Sequence, residues 1–584
     1  MQNSLEKIRH SASHLLAMAV LEKFPEAKLA IGPVIENGFY YDFDVPIKLS
    51  NEILPALEKR MRELAMKNIT FERFEAETEE ANKIIIGQPY KKELLAEIIK
   101  DHKPIIFYRS ANFIDLCGGP HVQSTKEIDP DAFKLLSVAG AYWRGDEKKQ
   151  QLQRIYGVAF GTKEELDSYL TQQAEALKRD HRKIGHELDL FTFSDLVGSG
   201  LPLYTPRGTV IVTEIVNLLN SLKRAKGYEF VDIPHLGKVQ LYKISGHWDK
   251  YKDSIFRVHG HGDEFVLKPM NCPHHSQIYA SSPRSWRDLP VRYAEVTKQY
   301  RDEQAGELLG LSRVRSITID DTHIYCRPDQ ILDEMRGAYE IIRDFSKVFG
   351  LEYSISLSVR DPKHKQDYLG PDAFWDETES LLKKLLKSIG EEYAVGLGEA
   401  SFYAPKIDFI QRDSLGRHWQ LSTIQLDYVQ PDRFKLEYTD EKGHKVRPAM
   451  IHIAVAGSLE RFLSILLEHY SGNLPTWLSP IQVQIIPVGT RHEEACKKLL
   501  EEFTLSNIRS EVDALNETVG NKIRKAIKMK IPYLLVIGDK EAKSKKLHIR
   551  IRGEDKVRIL TKSAFLSKLS KEIAERKSVL LNNT

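Results

Sequence analysis

Residues 292–326, RYAEVTKQYRDEQAGELLGLSRVRSITIDDTHIYC, hold the densest run of chemically useful side chains in the 584-residue chain. Residues 293–300 are rich in β formers, a Gly-containing loop follows, and a second run rich in Ile and Thr starts at Arg313 and Arg315. Two antiparallel strands joined by a charged loop is the natural reading. Side chains alternate along a strand, so Arg301 and Glu303 fall on one face of the first strand, and Arg313 and Arg315 on one face of the second. Three arginines and a carboxylate are then expected to converge on one sheet face. Such a face suits a polyanion that carries a hydrogen-bonding base, because guanidinium forks phosphate and a carboxylate accepts from an exocyclic amine. For an isolated R-x-E the competing reading is an exposed surface laced with salt bridges.

A chain of this length exceeds one hydrophobic core and is expected to hold about three or four domains. Net charge is +3, but residues 481–584 carry 22 Lys/Arg against 13 Asp/Glu, a local +9 that leaves −6 for the rest. A basic C-terminal domain fits a nucleic-acid footprint as well as a lysine-rich solubilising surface. The four cysteines, Cys117, Cys272, Cys326 and Cys496, show no C-x-x-C spacing, so no disulfide framework is implied and a reducing cytosol fits best. Charged residues ahead of a short, His-interrupted apolar stretch make neither signal peptide nor anchor, and no apolar run reaches the ~18 residues of a membrane span. The expected location is cytoplasmic.

Residues 4–24 have helical periodicity and place His10 and His14 at i and i+4 on one face. β segments at 29–43, a helix at 51–67 and a helical stretch at 91–100 follow. Asp115-Leu-Cys117-Gly-Gly-Pro-His121 then forms a turn, because Gly-Gly-Pro excludes helix. H-x3-H with C-x3-H offers tetrahedral N/S ligation of zinc. It equally offers a metal-free hydrolytic pocket in which imidazoles and a carboxylate orient water. A buried histidine pair beside an unrelated core cysteine is the third reading. Thr162 and Glu165 open a capping box for a long charged helix to about residue 183. A helix at 209–226, stopped by Gly227, precedes a strand at 228–233.

The F/Y-R-x-E strand, its loop and the R-x-R strand resemble motif 2 of class II aminoacyl-tRNA synthetases, and residues 209–233 are similar to motif 1, which builds a dimer interface in that class. Gly457-Ser-Leu-Glu-Arg461-Phe resembles motif 3. HSASHLLA, GFYYDF, QPYKKELL and DLCGGPHV resemble the editing domain of the threonyl-tRNA synthetase family, and the resemblance to that family runs over nearly the whole chain. The implied fold is multidomain α+β: a class II antiparallel sheet with helices, an N-terminal α+β editing domain and a C-terminal α/β anticodon-binding domain. The implied boundaries are 1–160 for editing, 161–187 for a helical linker, 188–474 for catalysis and 475–584 for anticodon binding, with residues 475–480 (PTWLSP) as the connection.

The resemblance also implies site residues. Arg301 and Arg461 would act catalytically with His247 of S-G-H-W and Lys406; Arg301, Glu303, Arg313, Gln420 and Arg461 would bind ATP; Asp321, Tyr403, Gln425 and Arg301 would bind threonine. Cys272, His323 and His452 are too far apart to form a local zinc motif, yet the resemblance assigns them as one site for a single Zn2+ per subunit, with an open fourth position. Threonine and valine are near-isosteres that a hydrophobic pocket separates only ~100-fold, so a metal that takes the hydroxyl supplies the missing discrimination. Serine passes that filter, and His10, His14, Lys91, Asp115, Cys117 and His121 would line a second site that hydrolyses seryl-tRNA. Mg2+ would accompany ATP, and the implied partners are tRNA(Thr), ATP, L-threonine and a second copy of the chain, with no membrane. Two departures stand out. Gly118 replaces the Arg of the family's C-R-G-P-H, and Ile319 replaces the Gln of Q-D-D-A-H, a lost amide expected to weaken threonine binding by ~1 kcal/mol.

Overall fold

The first helix, Gln2–Lys23, buries Ala12, Leu15, Leu16, Ala19 and Val20, the stripe its spacing sets. The stripe packs on the helix Leu54–Ala65 and on Phe39, Tyr41 and Phe43 of the strand Gly38–Asp44. That strand belongs to a five-stranded antiparallel sheet with Phe133–Tyr142 and Gln151–Ala159, and a smaller sheet joins Glu72–Glu75, Ile106–Ser110 and Phe113–Leu116. These elements lie in the first of two compact units, Met1–Glu175 and Ala176–Thr584. The computed structural model describes residues 2–146, 148–413 and 416–576.

The charged helix expected to run to about residue 183 ends earlier, at Lys163–Lys178. Asp180 leaves helical geometry and caps a new helix, His181–Glu187, by accepting from Arg182 N at 2.8 Å. His181 is buried there: its Nδ1 meets Glu468 Oε1 at 2.7 Å, and its Nε2 accepts from Leu311 N at 3.0 Å.

The second unit is built on eight strands: β1 Glu229–Phe230, β2 Val291–Tyr300, β3 Ser316–Cys326, β4 Glu352–Val359, β5 Tyr393–Leu397, β6 Lys406–Arg412, β7 His418–Asp427 and β8 Ala449–Ser458. Their order is β1-β2-β3-β8-β7-β6-β4-β5, antiparallel except at the two outer pairs. One face carries Ile324, Ile424, Ile451, Ile453 and Phe409 into a core shared with the helices Pro206–Ala225, Ile331–Phe349, Asp372–Ile389 and Leu459–His469. The opposite face is left for polar side chains. Motif-1-like residues 228–233 contribute only the two residues of β1 to the sheet, with Val231 N continuing the pairing to Ala294 O.

Residues 475–480 are not a solvated linker. Trp477 and Leu478 are buried in the sheet-and-helix core, with Trp477 5.6 Å from Phe349. Arg509 clamps the segment through Trp477 O at 2.6 Å and Ser479 O at 3.1 Å, and pairs with Glu214 at 2.6 Å. Beyond it, Ser510–Val512, Val483–Pro487, Tyr533–Ile537, Lys546–Ile551 and Arg558–Thr561 form one sheet in that order, the first three parallel. The helix Asp539–Lys543 and the strand Arg558–Thr561 were not expected; both are too short for a periodic signal. Side-chain periods after residue 481 alternate between strand and helix and end in a helix expected at 564–577; the last helix observed is Lys562–Ala574, and residue 577 lies outside the described residues.

Candidate active site

Strand register explains how distant residues meet. Tyr293, His323, His452, Gln425 and Lys406 pair directly across β2, β3, β8, β7 and β6, so they form one transverse row. Directly opposed residues of antiparallel strands point to the same side, which puts the whole row on the polar face. Cys272, the first residue of the helix Cys272–Ala280, joins it from above. The ligand atoms of Cys272, His323 and His452 lie within 4.8 Å of one another, and all three residues are buried.

Each imidazole is braced. His452 Nε2 lies 2.8 Å from Asp427 Oδ2, leaving Nδ1 as its donor. His323 Nδ1 meets His275 Nδ1 at 2.7 Å, and His275 Nε2 faces Glu295 Oε2 at 3.4 Å. Burial, reinforced by His275 and His452, holds His323 well below the usual histidine range, so it is neutral and able to ligate. Burial, then Asp321 and Asp427, push the Cys272 thiol well above its usual range. A cation among these donors would reverse that shift by stabilising the thiolate. A buried Cys-His-His set in which Nδ1 of His452 and Nε2 of His323, the latter 3.5 Å from Asp321 Oδ1, remain outside the bracing hydrogen bonds fits a tetrahedral ion. His247 adjoins this group: its Nε2 is 3.7 Å from Cys272 Sγ, its Nδ1 is 2.8 Å from Ser245 Oγ, and burial, then His452 and Arg301, lower it to about 3.

The motif-2 side chains do converge, though not on strand faces. β2 ends at Tyr300 and β3 starts at Ser316, so Arg301, Glu303, Arg313 and Arg315 all lie in the intervening loop. Alternation therefore does not place them; backbone bonds do. Arg301 N donates to Arg315 O at 3.0 Å, and Arg315 Nε donates to Glu303 O at 2.9 Å. Glu303 then accepts from Arg313 Nε at 2.8 Å. Arg461 enters from the helix Leu459–His469, capped by Ser458, and donates to Ser312 O at 3.1 Å. Burial, then the neighbouring Arg301 and Arg313, lower the Arg461 pKa. Arg301 lies over Tyr251 at 5.2 Å, with a buried Nε that has no partner among the described residues. Crowded, under-neutralised guanidinium groups make an anion site.

Position along β7 required a bulge. Gln420 and Gln425 are an odd number of residues apart and should face opposite ways, but the ladder slips between Phe409 and Ile410, sending Leu421 into the core. Gln420 thereby reaches the polar face and donates to Asp408 Oδ1 at 2.6 Å, while Lys406 pairs with Asp408 and Tyr403 donates to Gln425 Oε1 at 2.8 Å. Alternation along β3 separates the two aspartates, and a second slip, with its extra residues on β8 between Ala454 and Ser458, brings residues 455–457 opposite Asp320. Asp320 turns inward and accepts from Val455, Ala456 and Gly457 N, each at 3.0 Å. Asp321 faces the site, gripped by Asn271 Nδ2 at 2.9 Å. Gly457 is required at this crossing: its φ is +64°, and a Cβ would stand 2.6 Å from Leu421 O.

The first unit carries its own cluster. His10, His14, Cys117 and His121 present ligand atoms within 4.8 Å of one another. Cys117 Sγ lies 3.2 Å from His10 Nε2 and 3.4 Å from His121 Nε2. Asp115 receives Lys91 at 2.5 Å and the Tyr41 hydroxyl at 2.6 Å, with His14 Nε2 at 3.7 Å. Burial lowers His10, His14 and His121, and burial, then Asp115, push Cys117 up to about 12. All six expected residues come together. Sequence reasoning missed Tyr41 and Ser11, whose Oγ meets His121 Nδ1 at 3.1 Å; in the catalytic unit it missed Asn271, His275, Glu295, Asp408 and Asp427. Period-2 alternation along β2 could have flagged Glu295. A Cβ at Gly118 would meet nothing within 4 Å, so local packing does not impose that departure, whereas one at Gly119 would meet Tyr108 Oη at 2.3 Å.

Residues 256–470 match the family described as the tRNA synthetase class II core domain (G, H, P, S and T). Residues 482–572 match the anticodon binding domain, and 105–156 the threonyl and alanyl tRNA synthetase second additional domain. The eight-stranded sheet with its arginine-lined loop and these modules define a class II aminoacyl-tRNA synthetase. Threonine–tRNA ligase of Gloeobacter violaceus is 48% identical over 560 residues, covering 94% of this chain and 89% of that protein. The Synechococcus elongatus enzyme of the same name is 45% identical over 583 residues, covering 98% and 96%. A solved structure described as the RNA binding domain of threonyl-tRNA synthetase from Cryptosporidium parvum Iowa II superposes with TM-score 0.64 at 34% identity, over 68% of this chain and 98% of that one. The chain belongs to the threonine–tRNA ligase family.

Proposed function

We propose that the chain activates L-threonine with ATP, transfers it to the terminal ribose of tRNA(Thr), and hydrolyses seryl-tRNA(Thr) in its N-terminal unit. The observation that carries this reading is the Cys272, His323 and His452 group on the same sheet face as Gln425 and Lys406, in a unit that also bears Arg301 and Arg313 on the loop after β2 and Arg461 on the helix Leu459–His469. The three residues would hold Zn2+, which when bound supplies a Lewis-acid position for the amino group and β-hydroxyl of threonine. Asp321 accepts the hydroxyl proton, and Tyr403 and Gln425 bound the amino-acid pocket. In activation the threonine carboxylate attacks the α-phosphorus, the bond to the β-phosphate bridging oxygen breaks, and pyrophosphate leaves. Arg301 stabilises the charge added at the α-phosphate, Arg461 holds the leaving group, whose charge Mg2+ entering with ATP would help to neutralise, and Glu303, Arg313 and Gln420 seat the nucleotide. His247 and Lys406 serve acyl transfer to the ribose hydroxyl, with AMP as leaving group.

For editing, His10, His14, Lys91, Asp115, Cys117 and His121 orient water at the seryl ester. We assign editing to residues 1–160, the linker to 161–187, catalysis to 188–474 and anticodon recognition to 475–584, where Arg524, Lys525 and Lys528 are exposed. A homodimer in the cytoplasm completes the reading: β1 is an open sheet edge with Glu229 and Phe230 exposed, the feature a second copy would cover. No described helix is long and apolar enough to cross a membrane. ATP–pyrophosphate exchange tests the assignment across candidate amino acids. Threonine-dependent exchange is expected, together with about one zinc per chain that is lost in His323→Ala; exchange that prefers serine or ignores threonine would overturn it.

A further inference from the structure

Gln299 stands on the polar face of β2 with Tyr293, Glu295 and Thr297, yet its amide does not bond across to Ile317, its register partner. Its Nε2 lies 3.4 Å from Asp321 Oδ2 instead. Asp321 pairs with Glu295, four residues back along the strand, a separation of roughly 13 Å at the usual rise. The Gln299 side chain therefore lies along the strand and spans the row formed by Thr297 and Ile319. Gln299 is 1% exposed, and its Oε1 has no partner among the described residues. Asn271 repeats the pattern: Nδ2 donates to the same Asp321 oxygen at 2.9 Å, while its buried Oδ1 is also unpartnered. Buried carbonyl oxygens are almost always paired, so two orphans around one carboxylate mark a ligand rich in donors. An amino acid with an ammonium group and a side-chain hydroxyl is such a ligand.

We propose that Gln299 determines amino-acid specificity in this chain, fixing Asp321 through its amide N–H and offering its amide oxygen to a donor of the bound substrate. The inference rests on the reading that Asp321 lies in the threonine pocket. It also accounts for Ile319: an aliphatic side chain there leaves the row for Gln299 to cross, so the amide comes from β2 instead of β3. The loss of affinity expected from Ile319 alone is thereby offset.

Gln299→Met keeps the length and removes both hydrogen-bonding ends. Threonine KM in pyrophosphate exchange is expected to rise about tenfold, the worth of one buried hydrogen bond, with ATP KM unchanged. Ile319→Gln placed in the same background is expected to restore most of the threonine KM, which a merely structural role for Gln299 would not allow. Unchanged threonine KM in Gln299→Met, or a joint rise in both KM values that Ile319→Gln fails to repair, would overturn the proposal. If Gln299→Met does not fold, Gln299→Asn, which shortens the reach to Asp321, is read the same way. A parent enzyme that exchanges without threonine would instead sink the functional reading itself.

Discussion

Asp427→Asn tests whether zinc binding proposed for Cys272, His323 and His452 depends on their outer partners. Asp427 is fully buried; its Oδ2 faces His452 Nε2 at 2.8 Å, and its Oδ1 accepts from Val429 N at 2.6 Å and Gln430 N at 2.9 Å. Asparagine keeps the volume and can keep both backbone bonds through its single oxygen. Its NH2 then confronts Nε2 of His452, which must carry a proton if Nδ1 is to ligate. A charge-assisted bond is lost and a donor–donor contact replaces it, a change of about 1.5–3 kcal/mol. At 1.4 kcal/mol per decade this is roughly 10- to 100-fold in metal affinity, the range found for outer partners of metal-bound histidines. Zinc retention would be followed in a chelator titration of parent and variant, with thermal melting as the control for folding. An Asp427→Asn protein that retains zinc as tightly as the parent, under conditions where His323→Ala loses it, would refute the reasoning.

Arg461→Ala removes the guanidinium crowded by Arg301 and Arg313, and pyrophosphate exchange should fall by about 100-fold or more while the melting temperature holds. Tyr41→Phe deletes the 2.6 Å bond to Asp115, so hydrolysis of preformed seryl-tRNA should slow about tenfold with threonine activation untouched. Trp477→Ala empties a site in the catalytic core and should cost about 3–5 kcal/mol in denaturant unfolding of that unit. Acid should destabilise the first unit: His10, His14 and His121 are held below the usual value when folded, so the unfolded chain takes up protons that the native one refuses as pH falls through about 6.5. Stability present above that value is lost below it, and a His10→Gln, His14→Gln protein should show a shallower fall in melting temperature between about pH 7.5 and 5.5.

Local periodicity carried much of the architecture. The stripe of Gln2–Lys23, with His10 and His14 one turn apart, and the strand–helix alternation after residue 481 follow from side-chain spacing alone. The catalytic row does not. His323 and His452 meet because β3 pairs with β8 in one register, and register is a long-range outcome of which faces are buried. The bulge that turns Gln420 outward defeats any argument from alternation, since it adds a residue that parity cannot foresee; Asp320 turns inward by plain alternation, but the extra β8 residues that aim three N–H groups at it are equally beyond the reach of spacing. The helix break at Asp180 was hidden for a related reason. Capping by Asp180 is a local signal, but it prevails over continued helix because His181 gains Glu468 and Leu311 as partners from more than a hundred residues away.

The two His/Cys clusters also differ in a way no spacing could disclose. Both bring imidazoles and one thiol within 4.8 Å, so donor geometry alone would suit a metal in either. Their surroundings separate them. Asp321, Asp427 and Glu295 all lie about the catalytic group, against the charges of Lys268, which faces Glu295 and Asp321, and Lys223, which bears on Asp321 and His323. In the first unit a single carboxylate, Asp115, is directly neutralised by Lys91 at 2.5 Å, and that ammonium also bears on His10 and His14. A divalent cation gains more from the first field than from the second. The contrast supports a metal-selective first filter and a hydrolytic pocket that works on water held between neutral imidazoles and a lysine-bound aspartate, so that serine, accepted by the one, meets different chemistry in the other.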